Sequence, residues 1–188
     1  MTNQPPLISG HYYHIYNRGN NRENLFIEER NYHYFFKLYT HYIYPIADTY
    51  AYCLMRNHFH LLVRMKPQPQ NHYSQAFSNL FSTYTKAINK QYQRTGSLFE
   101  KPFKRIHVDS DRYFITLIRY IHQNPQKHHF TTDFRTYPYS SYQTIYQQKN
   151  SRIPHNQIID WFGNPQLFAT LHQQFDDFKI QHLIEDDA

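Results

Sequence analysis

The sequence predicts an α+β domain, a ferredoxin-like antiparallel sheet with helices on one face, followed by a C-terminal helical extension. Two observations carry this. Strand-like and helix-like runs succeed one another in the order strand, helix, strand, strand, helix, strand, which is the arrangement of that fold. The 188 residues include 19 Tyr and 15 Phe, enough aromatic bulk to build a large core despite a mean hydropathy of −0.83. The domain is assigned to residues 8–145 and the extension, whose role the sequence leaves open, to residues 146–188.

The elements follow in order. His11 to Asn17 is rich in strand formers and runs into Arg18-Gly19-Asn20-Asn21-Arg22, a turn-forming stretch with two arginines. From Glu28 to about Tyr42, Tyr32, Phe35, Phe36, Leu38 and Tyr39 recur at helical spacing, and Pro45 ends the run. Thr49 to Met55 and His58 to Met65 read as two strands joined by Arg56-Asn57. Beyond a loop with Pro67 and Pro69, the run from Tyr73 to Gln93 puts Phe77, Leu80, Phe81, Tyr84 and Ile88 on one helical face. An aromatic and basic loop, Ser97 to Lys104, leads into a short strand, Arg105 to Val108. A third helix is expected from Asp111 to Asn124, capped by Asp109, Ser110 or Asp111, closed by Pro125, and directing Phe114, Leu117, Ile118 and Ile121 to a core. An irregular segment with Tyr137 to Tyr142 precedes a helical tail expected from about Asn164 to Leu183, before the solubilising acidic end Glu185 to Asp187.

Composition narrows the partners. No apolar run has membrane-spanning length, and the start lacks the charged-then-apolar order of a secretion signal. The single Cys53 has no partner for an internal disulfide, which fits a reducing cytosol, so a cytoplasmic protein is expected. A formal charge of +6 points to an anionic partner, or equally to a merely soluble basic protein, and aromatic residues interleaved with basic ones suit stacking on unpaired bases.

One stretch carries chemistry: Met55-Arg56-Asn57-His58-Phe59-His60-Leu61-Leu62. On a strand, His58 and His60 stand side by side on one surface while Phe59 and Leu61 face the other. With 14 histidines in the chain, about one His-x-His pair arises by chance, so context decides its meaning. That context is Arg119-Tyr120-Ile121-His122-Gln123-Asn124-Pro125 on the third helix, where Tyr120 and Asn124 share a face. If that face lies over the histidine strand, a phenol and an amide oxygen meet two imidazoles. Two imidazoles and an amide oxygen can ligate a divalent cation, and a tyrosine oxygen can attack a phosphate held there. The plainer reading is that Tyr120 packs in the core and Asn124 only closes the helix.

Together with Asn17-Arg18-Gly19-x-x-Arg22, Thr95-Gly96-Ser97-Leu98-Phe99, Phe103-Lys104 and Ser140-Ser141-Tyr142, these blocks resemble the single-tyrosine HUH transposases of the insertion-sequence 200 type, in particular the REP-associated tyrosine transposases. The resemblance spans roughly residues 10–145. It implies a magnesium- or manganese-dependent endonuclease and strand transferase acting on single-stranded DNA near hairpins. His58 and His60 would hold the metal, Asn124 would be the third ligand in preference to Gln123, and Tyr120 would take the 5′ phosphate and free a 3′ hydroxyl. Where the family usually has Met-Pro-Asn, this chain has Met55-Arg56-Asn57, which adds a positive charge beside the site. Phosphate contacts are expected from Arg18, Arg22, Arg56, Lys104, Arg105 and Arg119, with Phe99 or Phe103 stacking on bases. Monomer and homodimer both remain open.

Three other functions stay in view. A non-enzymatic single-stranded nucleic-acid module of this topology would bind no metal and lose nothing with Tyr120. A replication initiator or relaxase-like nicking enzyme shares the residue types, but the Arg119 to Pro125 block argues against it. A zinc hydrolase would form no covalent protein–DNA species.

Overall fold

The computed structural model describes residues 4–68 and 72–175. Four strands, β1 (Tyr12–Arg18), β2 (Ala47–Leu54), β3 (His58–Met65) and β4 (Lys104–Val108), form one sheet in the order β2-β3-β1-β4, with every pair antiparallel. With α1 (Glu29–Tyr42) and α2 (Tyr73–Gln91) in the predicted places, this is the expected ferredoxin-like arrangement. The fold class is as the sequence predicted.

Side-chain alternation explains why β3 is apolar along most of its length. Phe59, Leu61 and Val63 turn to one face, where they meet Phe35 and Leu38 of α1 and Phe77, Leu80 and Tyr84 of α2. Leu62 turns to the other face, where it joins Tyr16, Ala51 and Cys53 in a second core. Both faces are therefore covered. Fully burying a side chain such as Phe35 or Ile121 contributes about 2–3 kcal/mol.

The second core is built by α3 (Asp111–Lys127) through Phe114, Leu117, Ile118 and Ile121. Three short helices close it: α4 (Tyr142–Tyr146), α5 (His155–Phe162) and α6 (Pro165–Gln173). Ile158, Ile159, Phe162 and Phe168 from the extension pack with α3, so the extension and the third helix share one apolar cluster. Thus α1 and α2 lie on one face as expected, and α3 with the extension occupies the face opposite.

Three details differ from the expectation. The helix expected to stop before Pro125 continues to Lys127 with Pro125 inside it. Proline lacks an N–H and forfeits one helical bond, but this close to the end the turn is completed by His128 N–H donating to Asn124 O at 2.9 Å. The β2–β3 connection is three residues, Met55 to Asn57, closed by Met55 N–H donating to His58 O at 2.8 Å. The C-terminal helix ends at Gln173, with Gln174 and Phe175 outside it; the rest of the expected tail to Leu183 lies outside the described residues. Among the described residues no helix is long and apolar enough to cross a membrane.

Candidate active site and nucleic-acid interface

The blocks that carried the resemblance are scattered in sequence and meet at the start of β3. Arg18 pairs with His58 across the sheet. The loop after β1 wraps the β2–β3 turn, with Gly19 N–H donating to Asn57 O at 2.7 Å and the Leu25 and Phe26 N–H groups both donating to Arg56 O. A Cβ on Gly19 would sit 1.9 Å from Glu23 O, so this close approach requires glycine. Gly19 also bridges to Phe99, bringing the 95–99 block to the same end. Ser140 bridges to Cys53, and Ser141 is bonded to both β2 and α3.

On the sheet face under α3, His58 and His60 stand side by side with ring centroids 5.3 Å apart. The Tyr120 ring is 5.4 Å from the His60 ring. Asn124 lies against His58, near enough to influence its protonation. The i, i+4 face read from the sequence therefore does lie over the histidine strand. The helix runs on past Asn124, so that residue is more than a terminus. Gln123 turns the other way and donates to His172 O at 2.6 Å.

The surroundings leave both imidazoles neutral. Burial pushes His58 down to about 3, with His128 adding to the shift, Asn124 opposing it and Arg18 adding a little more. Burial likewise holds His60 well below the usual histidine range, helped by His14, His58 and His128. Neutral imidazole is the ligating form. Asn57 sets which nitrogen of His58 is available: its Oδ1 accepts from Nδ1 at 2.7 Å, which leaves Nε2 as the lone-pair atom.

Buried polar atoms normally have partners, and leaving one without costs about 1–3 kcal/mol. Among the described residues, His58 Nε2 and the side-chain amide of Asn124 are buried beside each other, near enough for Asn124 to favour the charged imidazole but without the geometry of a full hydrogen bond. A divalent cation fits these donors. No group of three or more His, Cys, Asp or Glu is set to hold a metal among the described residues, so a cation at this place would rest on two imidazoles and an amide.

The proposed DNA contacts divide sharply. Arg22, in the loop after β1, and Arg56, in the β2–β3 turn, are exposed. Arg18 shares the histidine face and holds Glu100 at 2.6 Å, while Lys104, opposite Tyr16, shares that face too. Arg105 points to the other side, bonded to Ser74 at 2.7 Å with its guanidinium 5.4 Å from the half-buried Phe103 ring. Phe99 is only 3% exposed and packs on Phe59, Phe81 and Tyr84, so its ring is engaged in the core and is not open to a base. Arg119 is 7% exposed and donates to Gln174 O at 2.7 Å, which corrects its expected place among the phosphate contacts.

Sequence reasoning passed over two residues of this site. Lys127 Nζ lies 5.6 Å from the Tyr120 ring centre, and the His128 ring 4.9 Å from that of His58. Both follow from helical spacing, since residues 120, 124, 127 and 128 share one face.

Fold and site together define a class: a ferredoxin-like sheet presenting two neutral imidazoles to a tyrosine on a covering helix. The family model described as "Transposase IS200 like" matches residues 7–124, and the chain belongs to this family. Its likeness is to the REP-associated tyrosine transposases, as the motifs indicated. A Haemophilus influenzae protein named "Putative REP-associated tyrosine transposase" is 27% identical over 133 residues, covering 66% of this chain and 71% of the relative. The solved structure titled "Structure of the REP associates tyrosine transposase bound to a REP hairpin" has a TM-score of 0.64 at 15% identity, covering 79% of this chain and 86% of that one. At that identity the likeness is one of fold.

Proposed function

We propose that this transposase is a single-stranded DNA endonuclease and strand transferase that cleaves beside a DNA hairpin through Tyr120. The observation that supports this most is that buried polar atoms without partners, His58 Nε2 and the Asn124 amide, gather at one place beside a tyrosine. Hairpin DNA is proposed as the partner because the solved structure of similar fold is bound to a REP hairpin. His58, His60 and Asn124 Oδ1 would hold magnesium or manganese, which supplies charge to polarise the scissile phosphate. The chain's own groups do the rest. Tyr120 Oη attacks phosphorus, a tyrosyl 5′-phosphate ester forms, and the bond to the 3′ oxygen breaks. The net path of the phenolic proton is to that freed oxygen. Asn124 Nδ2 is left to donate to a phosphate oxygen, and Arg22 and Arg56 bracket the approach.

Incubation of the protein with a hairpin-bearing single strand and magnesium or manganese, followed by a denaturing gel, tests this. Wild type is expected to give a protein–DNA adduct, and Tyr120→Phe to reduce it by roughly 10³-fold or more. An undiminished adduct from Tyr120→Phe sinks the assignment of the nucleophile.

A further inference from the structure

The histidine face holds a third imidazole, His14 on β1, which belongs to none of the motif blocks. It is fully buried, with ring centroids 4.7 Å from Tyr16, 5.1 Å from His60 and 6.4 Å from Tyr120. Its Nε2 lies 2.9 Å from His60 Nδ1. Its own Nδ1 is buried and has no hydrogen-bond partner among the described residues.

We infer that His14 is a positioning residue that holds His60 as the Nδ1–H tautomer and so keeps His60 Nε2 available as a lone-pair donor to the metal. The inference rests on the metal-dependent reading above. A neutral imidazole carries one N–H, and two ring nitrogens at hydrogen-bond distance share one proton. When His60 Nδ1–H donates, Nε2 is bare and can ligate; the His14 proton then sits on Nδ1. When His14 Nε2–H donates instead, the His60 proton sits on Nε2 and ligation is blocked. The tautomers of His14 and His60 are therefore coupled, and only the first leaves His60 Nε2 free to ligate. His58 has the same device in Asn57, so each imidazole is oriented through its Nδ1 by one partner, as is usual for metal-binding histidines.

The test titrates the full-length, metal-free protein with manganese ion by calorimetry, as wild type, His14→Phe, His14→Gln and the double variant His58→Ala/His60→Ala. His14→Phe, which keeps the ring and removes the acceptor, is expected to weaken manganese binding about 10- to 100-fold. His14→Gln, whose Oε1 accepts a hydrogen bond, is expected to recover most of the loss. In parallel, long-range proton–nitrogen spectra of magnesium-saturated wild type are expected to show both His14 and His60 protonated on Nδ1. Manganese binding by His14→Phe as tight as wild type, or a His14 protonated on Nε2 in the wild-type spectrum, overturns the inference alone. The spectrum needs no variant to fold. Wild type that takes up no manganese, or a double variant that binds it equally well, overturns the metal reading and this inference together.

Discussion

Two buried histidine pairs flank α3, and they are alike in almost every respect but one. His14 and His60 meet with ring nitrogens 2.9 Å apart on the side of Tyr120. His122 and His172 meet at the same 2.9 Å on the side of the extension. The second pair is saturated. Tyr52 N–H donates to Ser141 Oγ, the Ser141 hydroxyl donates to His122 Nε2, His122 Nδ1–H donates to His172 Nε2, and His172 Nδ1–H donates to Phe168 O. Every ring nitrogen is used, and each tautomer follows from the next. Around the first pair, His14 Nδ1, His58 Nε2 and the Asn124 amide are left over. Burial alone thus does not distinguish the two pairs; the count of satisfied nitrogens does.

The widest gap between the two regions should appear in activity. His58→Ala/His60→Ala is expected to lower DNA cleavage by roughly 10³-fold or more, since several kcal/mol of charge stabilisation are lost. It also breaks the Nδ1 bonds to Asn57 and His14 and so costs some stability, but its main effect should be on activity. His122→Ala should do the reverse, costing about 2–4 kcal/mol in urea unfolding by stranding Ser141 and His172 and opening a cavity. Metal affinity of its folded fraction should stay within reach of wild type. Loss of cleavage by the folded fraction of His122→Ala as large as that of the double variant would end the distinction.

Acid sharpens it next. Burial pushes His172 down to about 3 and His122 well below its ordinary value of 6.5. The unfolded chain binds protons at these positions between those limits and the folded chain does not. The stabilisation is therefore complete above about pH 6.5 and is lost progressively as pH falls towards 3, at up to about 1.4 kcal/mol per pH unit for each histidine. Urea midpoints measured from pH 7 to pH 5 should fall, and His172→Gln should flatten that slope by up to one proton. An unchanged slope would mean that His172 is not held neutral.

The smallest effect separates two arginines. Arg56→Ala should reduce the slope of log affinity for single-stranded DNA against log salt by about 0.7, as one phosphate contact is lost. Arg119→Ala should leave that slope alone and lower stability. A change in slope with Arg119 would return it to the interface.

Much of this was legible in advance because it rests on short-range periodicity. The alternation of β3 places His58 and His60 on one face, and four-residue spacing brings Asn124 round with Tyr120. Applied one turn further, the same rule would have found Lys127 and His128. His14 left no such trace: it sits between Tyr13 and Ile15 on a strand buried on both faces, and only the long-range pairing with β3 brings it to His60. Arg119 and Phe99 were misjudged for a related reason. A charge in a basic motif and an aromatic in a basic loop look exposed until the covering chain, here Gln174 and the Phe59–Phe81 cluster, is in place. The short helix α5 lacks the length over which a period can be recognised.

The saturated relay from Tyr52 through Ser141 and His122 to His172 has an evolutionary corollary. It ties the back of α3 to β2 and to α6, so the helix that carries Tyr120 is held from behind by residues outside the candidate site. Substitutions at positions 122, 123, 141 and 172 are therefore expected to come as a set, since a change on the extension's side of the relay strands its partner on the tyrosine helix.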